Sequence, residues 1–227
     1  MNRANTPLWH TLLVLGRVSN LPTVWSNCLA GWWLAGGGQA GHLPLLLLGT
    51  SLMYIGGMYL NDAFDEEFDR SRRAERPIPS GRIAAAQVWQ YGFGALGLGM
   101  VCLFGTGWTA GLLGLVLAGF ILLYDSVHKY VTASPWLMGA CRFWVYLIAA
   151  AAAGGVNGWA IGCGAVLAFY VAGLSQFARR ESFAGGLNRV VLHWPFLLLA
   201  APLLLAFLMN TGPALTGALW VGVVFLL

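Results

Sequence analysis

The chain has 227 residues, of which 59% are hydrophobic and only 9% charged, and its mean hydropathy is +0.72. A soluble domain carries about 25% charged residues, so an ordinary water-soluble protein is excluded and one all-α membrane domain over 1–227 is expected. The net charge of +4 reflects where basic residues flank membrane helices and gives no reason to expect nucleic acid as a partner.

The apolar run at 8–15 is short, precedes Arg17 and lacks a small-residue cleavage site, so it does not read as a signal peptide. The first helix is expected over 21–35, with an earlier start and a kink at Pro22 as the alternative. Further helices follow over 43–60, 84–104, 108–124, 135–153, 159–177, 190–209 and 213–227, making a polytopic bundle of about eight. The last run reaches the final residue without a polar flank, as though the sequence stopped inside a helix. The 31 glycines would weaken soluble helices, but in lipid small residues let helices approach closely. Cys28, Cys102, Cys141 and Cys163 lie in apolar runs without paired spacing and read as small buried hydrophobes.

Charge is distributed on alternate connections. Eleven of the twelve lysines and arginines precede the first helix or fall between helices two and three, four and five, or six and seven. The intervening connections carry none, so the positive-inside rule makes the charged side cytoplasmic. All eight acidic residues lie on that side as well, which topology alone does not require. The bilayer of a bacterial-type inner membrane is the expected location.

The string NDAFDEEFD, residues 61–69, continues directly from an apolar helix. At about 100° per residue, Asp65 and Asp69 fall roughly 60° and 20° from Asp62 around the axis, so the three share a face. Asn61 adds an amide oxygen one turn before Asp65. Stacked carboxylates repel unless a cation neutralises them, and hard oxygens suit Mg2+, which commonly bridges to substrate phosphates. Arginines follow in RSRRAERPIPSGR, residues 70–82, with Arg72, Arg73 and Arg76 placed to hold phosphate oxygens while the Pro-Ile-Pro-Ser-Gly run orders a turn. Metal on one side and guanidinium on the other suit a diphosphate.

Asn61, Asp62, Asp65, Asp69, Arg70, Arg76, Pro77, Ile78, Pro79, Ser80, Gly81 and Arg82 together form N-D-x-x-D-x-x-x-D followed by D-R-x-x-x-x-x-R-P-I-P-S-G-R. This closely resembles the UbiA superfamily of intramembrane prenyltransferases. The resemblance implies nine helices around a central cavity opening to the charged side. It also implies Mg2+-dependent transfer of a prenyl group from an isoprenoid diphosphate to an acceptor, often an aromatic ring or quinone precursor. Asn61, Asp62, Asp65 and Asp69 are then the metal ligands, Asp62 and Asp65 with Lys129 the catalytic set. Tyr124 and Lys129, in Y-D-S-V-H-K at 124–129, sit where the family has a Tyr and a Lys, so that Lys129 is either a diphosphate contact or a lysine snorkelling to the membrane surface.

The family's second acidic motif, D-x-x-x-D after the sixth helix, is absent: residues 170–186 hold Glu181 as their only acid. Arg179 and Arg180 stand there, and Arg179 is a candidate diphosphate contact replacing metal charge with guanidinium charge. Arg142 lies two turns inside a membrane helix, where a charge costs on the order of 3 kcal/mol. Either Asp125 pairs with it or it binds an anion of diphosphate or acceptor. Tyr124, Tyr146, Tyr170, Tyr59 and Trp25 are candidates to face an allylic cation or simply to pack. An intramembrane terpene cyclase and a non-catalytic polyprenyl-phosphate carrier remain as alternatives, and no acceptor or oligomeric state follows from these residues.

Overall fold

A segment in lipid must satisfy its own backbone N–H and C=O groups, and a helix does so within one stretch of chain. The computed structural model describes residues 7–183 and Leu198, with side chains described as far as Phe177. Among the described residues the α-helices are α1 (Leu8–Leu15), α2 (Leu21–Leu34), α3 (His42–Phe64), α4 (Glu66–Arg72), α5 (Ala85–Thr106), α6 (Trp108–Val127), α7 (Ser134–Ala153) and α8 (Gly158–Phe183). Among the described residues there is no strand. Five helices among those residues, α3 and α5 to α8, are long and apolar enough to cross a membrane. The chain is an all-α integral membrane protein.

The expected spans from 21 to 177 coincide with α2, α3 and α5 to α8 apart from their ends, with α3 running on to Phe64 and α8 to Phe183. The helices expected over 190–209 and 213–227 lie outside the described residues. The kink considered at Pro22 is not where the chain turns. Pro22 sits in the first turn of α2, where a missing N–H is tolerated. The break comes earlier, at Arg17, whose φ of 45° is left-handed and costs about 1 kcal/mol for a residue with a Cβ. A single 3-10 turn, Val18–Asn20, then leads into α2.

Packing centres on α3, which runs against α5 and also touches α2, α6 and α7, while α7 joins α2, α6 and α8. Val24, Leu46, Met53, Leu60, Leu103, Leu117 and Ile148 are buried between these helices. Gly49 of α3 faces Gly99 of α5, and Gly56 faces Gly92. A Cβ on Gly99 would stand 2.8 Å from the Gly49 carbonyl oxygen, and one on Gly56 the same 2.8 Å from that of Gly92. The two backbones therefore pass closer than any larger residue allows, which is how helices associate tightly in lipid.

The long helices α2, α3 and α5 to α8 run alternately up and down, while α4 continues α3. Arg17, the segment 61–84 and the segment 128–133 meet at one end, as the Arg17–Asp62 and Lys129–Asp65 contacts show. Asn157 donates to the Leu34 carbonyl at 2.7 Å and joins two connections at the opposite end.

Candidate active site

The Asp-rich segment is a nearly continuous helix with one joint. Asp65 closes α3 and opens α4, yet Asp65 N–H still donates to Asn61 C=O at 3.0 Å and Asp69 N–H to Asp65 C=O at 2.9 Å. Helical registration thus persists through the joint, and of the three aspartates expected on one face Asp62 and Asp69 share a partner while Asp65 does not. The shared partner is one nitrogen: Arg76 Nη1 donates to Asp69 Oδ2 at 2.7 Å and to Asp62 Oδ1 at 3.1 Å.

Arg76 reaches back because the Pro-rich turn folds the chain onto α3. Ser80 N–H donates to Arg76 C=O at 3.0 Å, Arg82 N–H to Pro77 C=O at 3.1 Å, and Gly81 takes the left-handed φ of 74° that costs glycine little. Ile78 anchors the turn in a cluster with Leu15, Ala63, Ile83 and Val88. Helix α1 contributes Leu15 to that cluster and is tied to α3 where Tyr59 Oη donates to the Leu12 carbonyl at 3.2 Å.

Asp65 turns to another set of partners. Lys129 Nζ lies 2.8 Å from Asp65 Oδ1 and His128 Nε2 3.5 Å from it. Burial pushes the Asp65 carboxyl up, but contact with His128 and Lys129 outweighs burial and holds it below the usual carboxylate range. The same pair works in reverse on His128: burial pushes the imidazole down, and Asp65 raises it above its ordinary value. Lys129 is further fixed by the Phe68 ring, whose centroid is 3.9 Å from Nζ. The His128 ring stacks on Tyr124 at 5.1 Å between centroids.

Asn61 Nδ2 donates to Asp125 Oδ1 at 3.0 Å. Among the described residues no three Asp, Glu, His or Cys side chains are close enough to hold a metal ion by themselves, because Arg76 and Lys129 stand among the carboxylates. The donors nevertheless fit a hard divalent cation. Asp69 is 1% and Asp125 4% exposed, and Asp69 Oδ1 and Asp125 Oδ2 are buried without a hydrogen-bond partner. Such orphaned carboxylate oxygens are costly unless a cation or donor meets them.

The other expected residues are dispersed. Arg72 and Arg73 are exposed, Arg72 lying 5.2 Å from the Phe68 ring centroid. Tyr146 is 2% exposed and packs with Cys163 and Leu167 in the core, which is the packing reading. Tyr59 and Trp25 spend their polar atoms on Leu12 and Ser51. The pairing of Arg142 with Asp125 considered from sequence is not formed: Arg142 Nη2 donates to Thr23 Oγ1 at 3.1 Å, and Asp125 is met by Asn61. The Arg179 and Arg180 side chains lie outside the described part. Four residues that sequence reasoning left out of the site belong to it: Arg17, whose Nη2 is 3.5 Å from Asp62 Oδ1, with Phe68, Asp125 and His128. The only advance signal for the last two was their adjacency to Tyr124 and Lys129.

Residues 24–227 match the family model described as the UbiA prenyltransferase family. The chain belongs to that family. Among curated relatives, the digeranylgeranylglyceryl phosphate synthase of Methanothrix thermoacetophila is 40% identical over 83 residues, covering 35% of this chain and 31% of the relative. The 4-hydroxybenzoate octaprenyltransferase of Burkholderia mallei is 36% identical over 102 residues, covering 43% and 34%. This UbiA-family chain thus aligns with about a third of the length of those curated relatives. A solved structure of a UbiA homolog from Archaeoglobus fulgidus bound to GPP and Mg2+ superposes with a TM-score of 0.65 at 14% identity, covering 95% of each chain. At that identity the likeness establishes a shared fold for the UbiA-family bundle described above.

Proposed function

We propose that this UbiA-family protein moves an isoprenyl group from its diphosphate to a small acceptor of the aromatic or quinone-precursor kind, using Mg2+ at the Asp-rich end of α3. The observation that supports this most directly is the gathering of Asp62, Asp65, Asp69 and Asp125, all buried, with Arg17, Arg76, His128 and Lys129 at one mouth of an apolar bundle. Curated relatives are named for polyprenyl transfer, and the A. fulgidus homolog was bound to GPP and Mg2+.

In this reading Asp62, Asp65, Asp69 and the side-chain amide oxygen of Asn61 would hold Mg2+. The cation would neutralise the diphosphate and ease departure of pyrophosphate. Arg76 and Lys129 are already held in place, by Asp62 and Asp69 and by Asp65 and Phe68 respectively. They stand ready for the charge that grows as the C1–O bond breaks, and preorganised charge of this kind needs no rearrangement during reaction. Arg72 and Arg73, both exposed just beyond the Asp-rich segment, supply further positive charge there. Tyr124, fixed against His128, offers a ring face to the allylic carbon. The apolar helices keep water from the cation until the acceptor supplies its electron pair to C1 and releases a proton. The charged end faces the cytoplasm of a bacterial-type inner membrane, since the basic residues concentrate there.

The test is pyrophosphate release by protein in lipid nanodiscs, given geranyl, farnesyl or geranylgeranyl diphosphate with a phenolic acceptor, with and without Mg2+. Release should require Mg2+ and fall by about 100-fold or more in Asp65→Ala. Metal-independent release, or release indifferent to Asp65→Ala, would reject the assignment.

A further inference from the structure

Arg142 is the charged group that the mechanism above leaves unused. It lies eight residues after the start of α7 at Ser134, a depth of roughly 12 Å at 1.5 Å per residue. It faces the interior: its guanidinium bonds to Thr23 on α2, and Tyr54 on α3, Cys28 on α2 and Cys141 on α7 lie near it. None of these partners carries a formal negative charge in its ordinary state at neutral pH. The Thr23 hydroxyl already gives its proton to the Asn20 carbonyl at 2.7 Å, so it meets Arg142 only with a lone pair. Among the described residues no carboxylate lies within ion-pairing distance of Arg142, and one of its five N–H donors is accounted for.

A membrane-embedded cation with neutral partners calls for an anion from elsewhere. The diphosphate does not meet that need in the proposed mechanism. Its charges gather around Asp62 and Arg76, whereas the α3 neighbour of Arg142 is Tyr54, eight residues before Asp62 and thus about 12 Å deeper along the same helix. The prenyl chain itself is apolar. The remaining reactant is the acceptor. We infer that Arg142 is the residue that recognises it, and that the acceptor carries a carboxylate or phosphate which the guanidinium fork receives in two parallel hydrogen bonds. The inference rests on the prenyl-transfer reading and narrows its acceptor to an acid. Thr23 positions the fork by occupying one nitrogen, leaving the others toward the bundle interior.

The experiment measures binding of three probes to nanodisc-embedded protein by calorimetry: 4-hydroxybenzoate, phenyl phosphate and the neutral 4-hydroxybenzyl alcohol. Binding of geranyl S-thiolodiphosphate with Mg2+ is measured alongside. In wild type, one acidic probe should bind at least ten-fold tighter than the alcohol, and whichever one does so distinguishes carboxylate from phosphate. Arg142→Gln should abolish that preference while changing thiolodiphosphate affinity less than two-fold. Arg142→Lys, which keeps the charge and loses the fork, should retain part of it, and carries the test if the glutamine variant does not fold. The inference is overturned by no acidic preference in wild type, by a preference that survives Arg142→Gln, or by loss of thiolodiphosphate affinity with the acidic preference intact. A lowered melting temperature with unchanged preference gives Arg142 a structural role only and also overturns it. If wild type prefers an acid but binds no thiolodiphosphate, the prenyl-transfer reading fails and the anion site stands.

Discussion

Arg76 meets two buried carboxylates through a single nitrogen, at 2.7 and 3.1 Å. Replacing it by Gln removes charge-assisted hydrogen bonds worth on the order of 2 kcal/mol and leaves Asp62 and Asp69 facing each other across a buried space. Mg2+ supplies the missing positive charge. Thermal unfolding in detergent should therefore show Arg76→Gln destabilised without metal, with a larger Mg2+-induced rise in Tm than wild type shows. Equal Mg2+ shifts in the two proteins would mean that the cation does not share these carboxylates. Phe68 allows a second test, because its ring fixes Lys129 from 3.9 Å. A cation–π contact at a partly exposed site contributes about 0.5–1 kcal/mol, so Phe68→Leu should raise KM for the diphosphate about two- to five-fold with kcat nearly unchanged. A fall in kcat alone would point away from Lys129 positioning. Sequence made the same-face aspartates legible, since a fixed rotation per residue orders them. The partners of those aspartates were not legible: Asn61 meets Asp125 across 64 positions, and only the packing of α3 beside α6 brings them together.

At the scale of elements, the apolar runs were readable because lipid leaves a helix few alternatives. The joints were not. The left-handed residue is Arg17 and not the adjacent Gly16, which keeps a right-handed φ of -71° as the cap of α1, and Asp65 divides α3 from α4 although hydrogen bonding continues through it. Why α3 must sit so close to α5 also has a compact test. Gly56→Ala would push a Cβ to 2.8 Å from the Gly92 carbonyl, and overpacking a tight interface costs about 1–3 kcal/mol. Gly94→Ala, on α5 with no atom within 4 Å of the added Cβ, should leave stability unchanged or improve it slightly. Activity should follow the same order, because α3 carries Asn61 and Asp62 and moves when its seat on α5 is altered. Equal melting temperatures for the two variants would show that the glycine contact does not hold α3 in place.

For the whole molecule, orientation follows from charge rather than from packing. Among the described residues the acidic side chains and all the lysines and arginines except Arg142 lie at the end where 61–84 and 128–133 meet, while the connections at 35–41 and 154–157 carry no charge. Translocating a short segment with several arginines is disfavoured, and carboxylates have little influence on that choice. The basic end should remain on the side of synthesis, which would give the Asp-rich end direct access to cytoplasmic Mg2+ and soluble substrates. Ala74 is exposed in the charged connection and Val156 is exposed at the opposite end, so each can report one face as a cysteine. The four native cysteines are buried or half-buried and give little background. Ala74→Cys should react with a membrane-impermeant maleimide in inside-out vesicles and stay protected in right-side-out ones, and Val156→Cys should show the converse. The reversed pattern would place the Asp-rich mouth outside the cell and separate it from that Mg2+ supply. Labelling of both positions from both faces would mean that the protein inserts in two orientations, despite an asymmetry that should select one.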